Sequence, residues 1–434
     1  MTTASTVHTP QRIAPRAPDW KARAARAARH LTIDLVLAFK EVMRRKRRSG
    51  VAVIAVAFSV IALLLSSGFI QWVLASMQED AVHTVGHLQV TRPGFADSGL
   101  SDPLSYLLPD SDPAAVVTGL GSRAIAPRLS FSGLVSMGDS TLSFQGEGLS
   151  PSAEGELVAA MTIVDGAPLS EQAGAKEVLL GRGLAQNLGA EVGRKVVLLS
   201  STGAGGVNGV EVEVRGIFAT STKAYDDVFL RVPIDLARQL LRIEGASRWI
   251  VLLEETARTD AAIASLRERL PAGQFSVTPW YELADFYTKT AELFSKQLGF
   301  LNLIIAVIVV LTISNCMTIG VVERTSEIGT ALAIGATRET IRRRFIVEGL
   351  VLGIVGAALG LGLGLLAAHG ISSVGIPMPP PPGADQGYTG EILVTFGLAI
   401  QAAAVGVLSA LGGAVLPAIR ASRMGIVDAI RQGK

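Results

Sequence analysis

ERTSEIGTALAIGATRETIRRRF, Glu323 to Phe345, is a short charged segment between two long apolar runs. Ser295 to Val322 precedes it, with Lys296 as its one charge, and Gly349 to Ala368 follows it. Five arginines in so short a loop mark the side of a membrane it faces, because Lys and Arg near span ends stay cytoplasmic. The segment also reads as a helical hairpin. Ser326 can cap a short helix running to Ile334, and Gly335 offers its stop. Thr337 can cap a second helix, with Glu339 in its first turn. The first helix carries Ile328, Ala331, Leu332 and Ile334, a set poorly satisfied in water. It makes sense if it docks in a partner's groove. A plain re-entry loop is the alternative; the small residues Gly329, Ala331, Ala333 and Ala336 favour close helix approach instead.

Working outward, the 434 residues are too many for one small domain, and the mean hydropathy of +0.43 is high for a soluble one. Charged residues make up 18%, against about 25% in typical soluble domains. Four stretches without Asp, Glu, Lys or Arg reach the roughly 20 residues a bilayer span needs: 51–75, 298–322, 349–368 and 392–419. The first is too long and too far from the N-terminus for a cleavable signal peptide.

The formal charge of +2 hides a segregation. Residues 1–50 hold 12 Lys+Arg against 3 acids, and 76–297 hold 18 against 27. The loop 323–348 holds 5 against 4, the loop 369–391 has 2 acids and no base, and the tail 420–434 has 4 bases against 1 acid. Arg44–Arg48 (RRKRR) therefore places the N-terminus in the cytoplasm, together with 323–348 and the tail. Residues 76–297 and 369–391 fall outside. The expected fold is an α-helical membrane protein with four transmembrane helices and a large α+β extracytoplasmic domain between helices 1 and 2. The one cysteine, Cys316, lies in the second span, so the outer domain must rest on a packed core rather than disulfides.

Residues 1–18 lack periodicity and read as disordered. In 19–50, Leu31, Leu35, Ala38, Phe39 and Val42 share a face of a basic helix, which reads as interfacial on the inner leaflet. Within 76–297, GHLQVT alternates like a strand, and Gly138–Asp139 separates two alternating runs as a hairpin turn. KEVLLGRGLAQNLGAEVGRKVVLLS reads strand, helix, strand, with Leu184, Leu188 and Val192 on one helical face and Gly189 as a stop. GAGGVNG is a turn; VEVEVRGIF, DDVFLRV, WIVLLEE and QFSVTP read as strands, and IDLARQLLRI and TDAAIASLRERL as helices, the latter capped. YELADFYTKTAELFSKQ has helical spacing and predicts a stalk running into the second span, paired with one after the first. Four consecutive prolines at 379–382 forbid a helix there, and the loop 369–391 reads as ordered or extended on the outer face.

The stretch ERTSEIGTALAIGATRETIRRRFIVEGLVLGIVGAALGLGLG resembles the signature of the FtsX/MacB/LolE-type ABC transporter permeases, a four-span mechanotransmission superfamily. The tail LPAIRASRMGIVDAIRQ resembles their P-x-x-R-A-x-x-x-x-P-x-x-A-L-R ending, with Ile426 in place of the usual proline. EVLLGRGLAQNLGAEVGRKVVLL is similar to their periplasmic core. The resemblance implies a permease working as a homo- or heterodimer in the inner membrane, with one cytoplasmic ABC ATPase per permease chain. It implies that Glu323, Arg324, Glu327, Ile328, Ala331, Leu332, Ile334 and Gly335 form the coupling helix that contacts the ATPase. It also implies mechanical work outside the membrane rather than a channel between the spans, and the charge-free spans agree with that.

No G-x-x-x-x-G-K-[ST] run occurs, so this chain is expected to be non-catalytic and to bind no cofactor, with ATP and Mg held by the partner ATPase. Nucleic acid is not an expected partner. His83 and His87 are four apart, but no third ligand is near and no metal is expected. Asp226–Asp227 reads as a solvated turn. Asn315 and Cys316 are candidate contacts between helices across a dimer seam, and the glycines from Gly353 to Gly364 permit close packing. Two functions share these parts. One is an ABC permease subunit extracting or exporting lipoprotein, lipid or another amphiphile from the outer face of the inner membrane, with or without a periplasmic adaptor. The other is a signal transmitter activating a periplasmic partner such as a cell-wall hydrolase. An ion-coupled transporter fits less well, for want of intramembrane charge and of an inverted repeat.

Overall fold

The computed structural model describes residues 38–426, apart from 39, 42, 45, 99–102, 109–119, 154–160, 221–222, 272 and 379–387. The disordered N-terminus read at 1–18, most of the interfacial helix, the proline run and the end of the tail therefore lie outside the described residues.

The chain opens with α1 (Lys46–Val85) and β1 (Leu88–Thr91), then the hairpin β2 (Ser122–Met137) and β3 (Ser140–Leu149). There follow β4 (Thr162–Gly166), β5 (Glu177–Gly181), α2 (Arg182–Leu188), β6 (Lys195–Ser201), β7 (Val207–Ala219) and β8 (Phe229–Pro233). Next come α3 (Ile234–Leu241), β9 (Arg248–Leu253), α4 (Thr259–Arg269) and β10 (Ser276–Pro279). The remainder is α5 (Asp285–Glu323), α6 (Thr325–Ala333), α7 (Arg338–Val374), β11 (Ile376–Met378), β12 (Tyr388–Gly390) and α8 (Phe396–Ser422). The described residues form two compact units. One holds α1 as far as Gly68, Leu298–Gly370 and the chain from Val394; the other holds Phe69–Gln297 and Ile371–Leu393.

In the mixed unit, strand alternation sets the architecture. β2 pairs with β3, β6 and β9, and β7 pairs with β4, β5 and β6. The pairings β2–β3, β3–β8, β8–β5, β5–β7, β7–β6 and β6–β2 close a ring of six strands. Leu129, Phe131, Phe144, Leu198, Val214 and Leu230 fill it, joined by Leu184 and Leu188 of α2 and Leu240 of α3. Phe131 and Phe144 meet edge-on, with centroids 5.5 Å apart, a geometry favoured by the ring quadrupoles. Outside the ring, β10, β1 and β9 extend β2 as an antiparallel wing, with Ile263 and Leu266 of α4 against Trp249 and Val251. This is the α+β character expected from the sequence.

The turn at Gly138–Asp139 is as expected: Met137 pairs with Ser140, and Gly138 sits at φ 58°, which an L side chain adopts at a cost. α2 ends at Leu188, so Val192 lies beyond it and does not share its apolar face. α4 has no side-chain cap; the Thr259 hydroxyl instead donates to the Thr256 carbonyl at 2.7 Å. Asp226 is not solvated: it is buried and accepts from the Thr220 amide and hydroxyl at 2.9 and 2.8 Å. Burial pushes its carboxyl up, and the Thr220 bonds oppose that.

α1, α5, α7 and α8 are each long and apolar enough to cross a membrane. In the helical unit, glycines let their backbones meet. A Cβ at Gly356 would lie 2.6 Å from Val56 Cβ, and one at Gly360 would lie 2.7 Å from the Ala57 carbonyl, so α7 is seated on α1. A Cβ at Gly413 would lie 2.7 Å from the Val310 carbonyl, so α8 is seated on α5. Small residues at helix crossings are the usual basis of such packing in lipid.

Candidate functional site

α5 stops at Glu323 and α6 starts at Thr325, with Arg324 between them at φ −103°, ψ 14°. No side chain caps α6. Ser326, expected as its cap, lies inside the helix; Thr325 instead donates its hydroxyl to the Val322 carbonyl at 2.8 Å, serving the end of α5. The stop at Gly335 is real. At φ 106° it turns the chain so that the Ala336 amide donates to the Ala331 carbonyl at 3.0 Å, closing the helix in the manner of a left-handed C-cap. Thr337 then caps α7 as expected, accepting from the Thr340 amide at 3.2 Å. α7 runs unbroken from Arg338 to Val374, so the second helix of the hairpin continues into the third apolar run.

The sequence assigned eight residues here to contact with a partner. Glu323, Glu327, Ile334 and Gly335 are exposed, Ile334 at 84%, and Ala331 and Leu332 are half-buried. Arg324 and Ile328 are not available: both are turned into the unit and are less than a tenth exposed. For Arg324 the reason is electrostatic.

Arg324 belongs to an ion cluster. Its guanidinium lies 3.0 Å from Glu41 and 3.3 Å from Glu348. Arg48 lies 3.0 Å from Glu323 and 3.5 Å from the same Glu348. Gly320 supplies the room for Arg48, whose guanidinium occupies the place a side chain there would take. Two guanidinia thus meet three carboxylates drawn from the segment before α1, from α1, the α5–α6 break and α7. Glu41, Arg48 and Glu348 were missed as site residues. Their signal is weak, one charge each at the edge of an apolar run, and their partners lie up to 283 positions away.

Asn315 faces outward from α5 between Leu311 and Ile319, which are also exposed, and Cys316 is half-buried. In the mixed unit, His87 follows α1 directly and is buried. Its Nδ1 accepts from the Leu253 amide at 3.0 Å, so the ring proton is on Nε2, which lies 3.0 Å from the Thr256 hydroxyl. Its backbone donates to the Val251 carbonyl and accepts from the Trp280 amide, tying the end of α1 to β9 and to the approach to α5. Burial, with the neighbouring His83 charge, holds the His87 ring below its ordinary pKa.

Residues 299–426 match the family model of the FtsX-like permease C-terminal region, and residues 49–269 match that of the MacB-like periplasmic core domain. The macrolide export ATP-binding/permease protein MacB of Rhodospirillum rubrum is 31% identical over 165 residues, 36% of this chain and only 25% of that protein. The lipoprotein-releasing system transmembrane protein LolC of Neisseria meningitidis is 22% identical over 351 residues, 76% of this chain and 81% of that one. The solved periplasmic region of MacB from Actinobacillus actinomycetemcomitans aligns at 13% identity with a TM-score of 0.35, covering 50% of this chain and 98% of that one.

Proposed function

Because this chain belongs to the family of FtsX-like ABC permeases with a MacB-like periplasmic core domain, we propose that it couples ATP hydrolysis in a separate ATPase chain to movement of that core domain. The observation that carries the reading is α6, a helix closed at Gly335 that leaves Ile334 84% exposed between two long apolar helices. An apolar side chain so placed fits a groove in a partner better than it fits water. ATP and Mg belong to that partner.

Arg44–Arg48 and the five arginines of 323–348 put both termini and α6 in the cytoplasm, and the core domain in the periplasm. A second permease chain pairs along the outward face of α5 that carries Asn315. No Asp, Glu, Lys, Arg or His lies in 51–75, 298–322, 349–368 or 392–419, which argues against a polar path through the helices. The cargo is accordingly an amphiphile handled at the outer face of the inner membrane, a lipoprotein or lipid. α1 runs unbroken to Val85 and α5 begins at Asp285, so both extend well beyond the apolar spans as levers.

The test is Ile334→Glu in the full chain. It should fold with the wild-type melting temperature yet fail to co-purify with its partner ATPase. Retained co-purification would count against docking through α6. Ile328→Glu, by contrast, should lower stability itself, because that side chain is buried.

A further inference from the structure

Ion pairs buried at a joint are costly. Each ion taken from water loses several kcal/mol of solvation, and an apolar contact of the same shape often holds as well. What the ionic arrangement supplies here is a particular connection. Arg324 and Arg48 each have one outer acceptor, Glu41 and Glu323, whose side chains are 37% and 49% exposed. Each also has one inner acceptor, and it is the same one: Glu348, 4% exposed. Arg324 is the residue from which α6 starts, Arg48 stands near the start of α1, and Glu348 is on α7. α6 adjoins α5 and α7 along the chain, but α1 is remote from it in sequence. Displacing α6 from α7 must break the Arg324–Glu348 pair, and displacing α1 must break the Arg48–Glu348 pair.

We propose that Glu348 is a positioning residue, the shared anchor through which a push on α6 reaches α1. This rests on α6 being the ATPase contact. A carboxylate is suited to the role because its two oxygens can hold two guanidinia at once in fixed directions. An amide in its place keeps the volume but loses the charge both arginines need.

The experiment uses the full chain with its ATPase in lipid nanodiscs, comparing Glu348→Gln, Arg48→Gln and the double variant. Each single change should leave co-purification intact and lower permease-dependent ATP hydrolysis by about tenfold, the scale of one lost charged hydrogen bond. The double variant should be no worse than either single one, because both break the same link. Full stimulation in the single variants, or losses that multiply in the double, would overturn the anchor. Glu348→Asp, which keeps the charge, should recover part of the loss; recovery by Gln instead would also overturn it. If the wild-type chain binds no ATPase, the docking reading fails. Hydrogen exchange in the isolated full chain then decides the anchor separately. Amides 325–333 should exchange about tenfold faster in Glu348→Gln, and unchanged exchange would sink the proposal. Should Glu348→Gln not fold, Arg48→Gln, which leaves the Arg324–Glu348 pair in place, carries the hydrolysis readout: ATP hydrolysis should still fall about tenfold while amides 325–333 exchange as in the wild type, and full hydrolysis would overturn the anchor.

Discussion

Arg128 Nη1 and Glu147 Oε2 lie 3.3 Å apart on adjacent strands, β2 and β3, and both side chains are almost wholly buried. Arg248 reaches the other carboxylate oxygen from β9, and Arg231 on β8 adds a third positive charge nearby. Burial by itself would raise the Glu147 carboxyl; the three guanidinia outweigh it and hold the group at about 2, against an ordinary 4.5. A carboxyl depressed in the folded state adds stability above its unfolded pKa and loses it as pH falls through the folded one. Stability of the mixed unit should therefore be level above 4.5 and decline between 4.5 and about 2. Glu147→Gln should cost about 3–5 kcal/mol at neutral pH, the usual result of stranding buried charge. Thermal melting of the full chain against pH checks both; an unchanged melting temperature in Glu147→Gln counts against them.

His87 acts in the same direction over a higher pH range. Its Nδ1 must stay unprotonated to accept from the Leu253 amide. The ring's folded pKa lies below 6.5, so the unfolded chain takes up the proton first, and stability is complete above 6.5 and lost as pH falls from there toward the folded value. His83, Glu79, Glu254 and Arg123 line the same cavity, and the His83 charge acts with burial on the His87 ring. An NMR titration should place the His87 midpoint below 6.5; a midpoint at or above it would refute the assignment.

Gly360→Ile should separate α7 from α1, because the added Cβ meets the Ala57 carbonyl. Overpacking of this kind costs about 1–3 kcal/mol. Gly362, two positions on, has nothing within 4 Å of where its Cβ would stand, so Gly362→Ile should be near neutral. Melting in detergent distinguishes them, and equal losses would mean that the close approach carries no weight.

Cys316 is the only cysteine, which makes cross-linking readable. In a Cys316→Ser background, Asn315→Cys should form a disulfide between two permease chains under mild oxidation. A cysteine at Leu352, buried within one chain, should not. Equal cross-linking at both would discard α5 as the dimer face.

Much of the architecture was legible along the chain because it depends on local regularities. Charge-free runs of span length, the alternation either side of Gly138–Asp139 and the glycine after Leu188 each act over a few residues. The misses have a common cause. Asp226 reads as a polar turn residue until Thr220 folds over it, and Ser326 reads as a cap until α5 is seen to run almost into α6, leaving Thr325 to serve the end of α5 instead. Arg324 belongs to an apolar and charged hairpin in sequence, but its facing depends on Glu41, from before α1, and Glu348 of α7.

The amino-acid order alone determined the four apolar helices, the clustering of arginines around them and the helix–glycine–helix form of 323–348, since length, charge and a positive-φ position are properties of short segments. Which face of α6 is left exposed was decided only by tertiary structure. Glu348 and Glu41 draw Arg324 inward across as many as 283 positions. A buried guanidinium goes where its carboxylates are, and no local pattern reports where that will be.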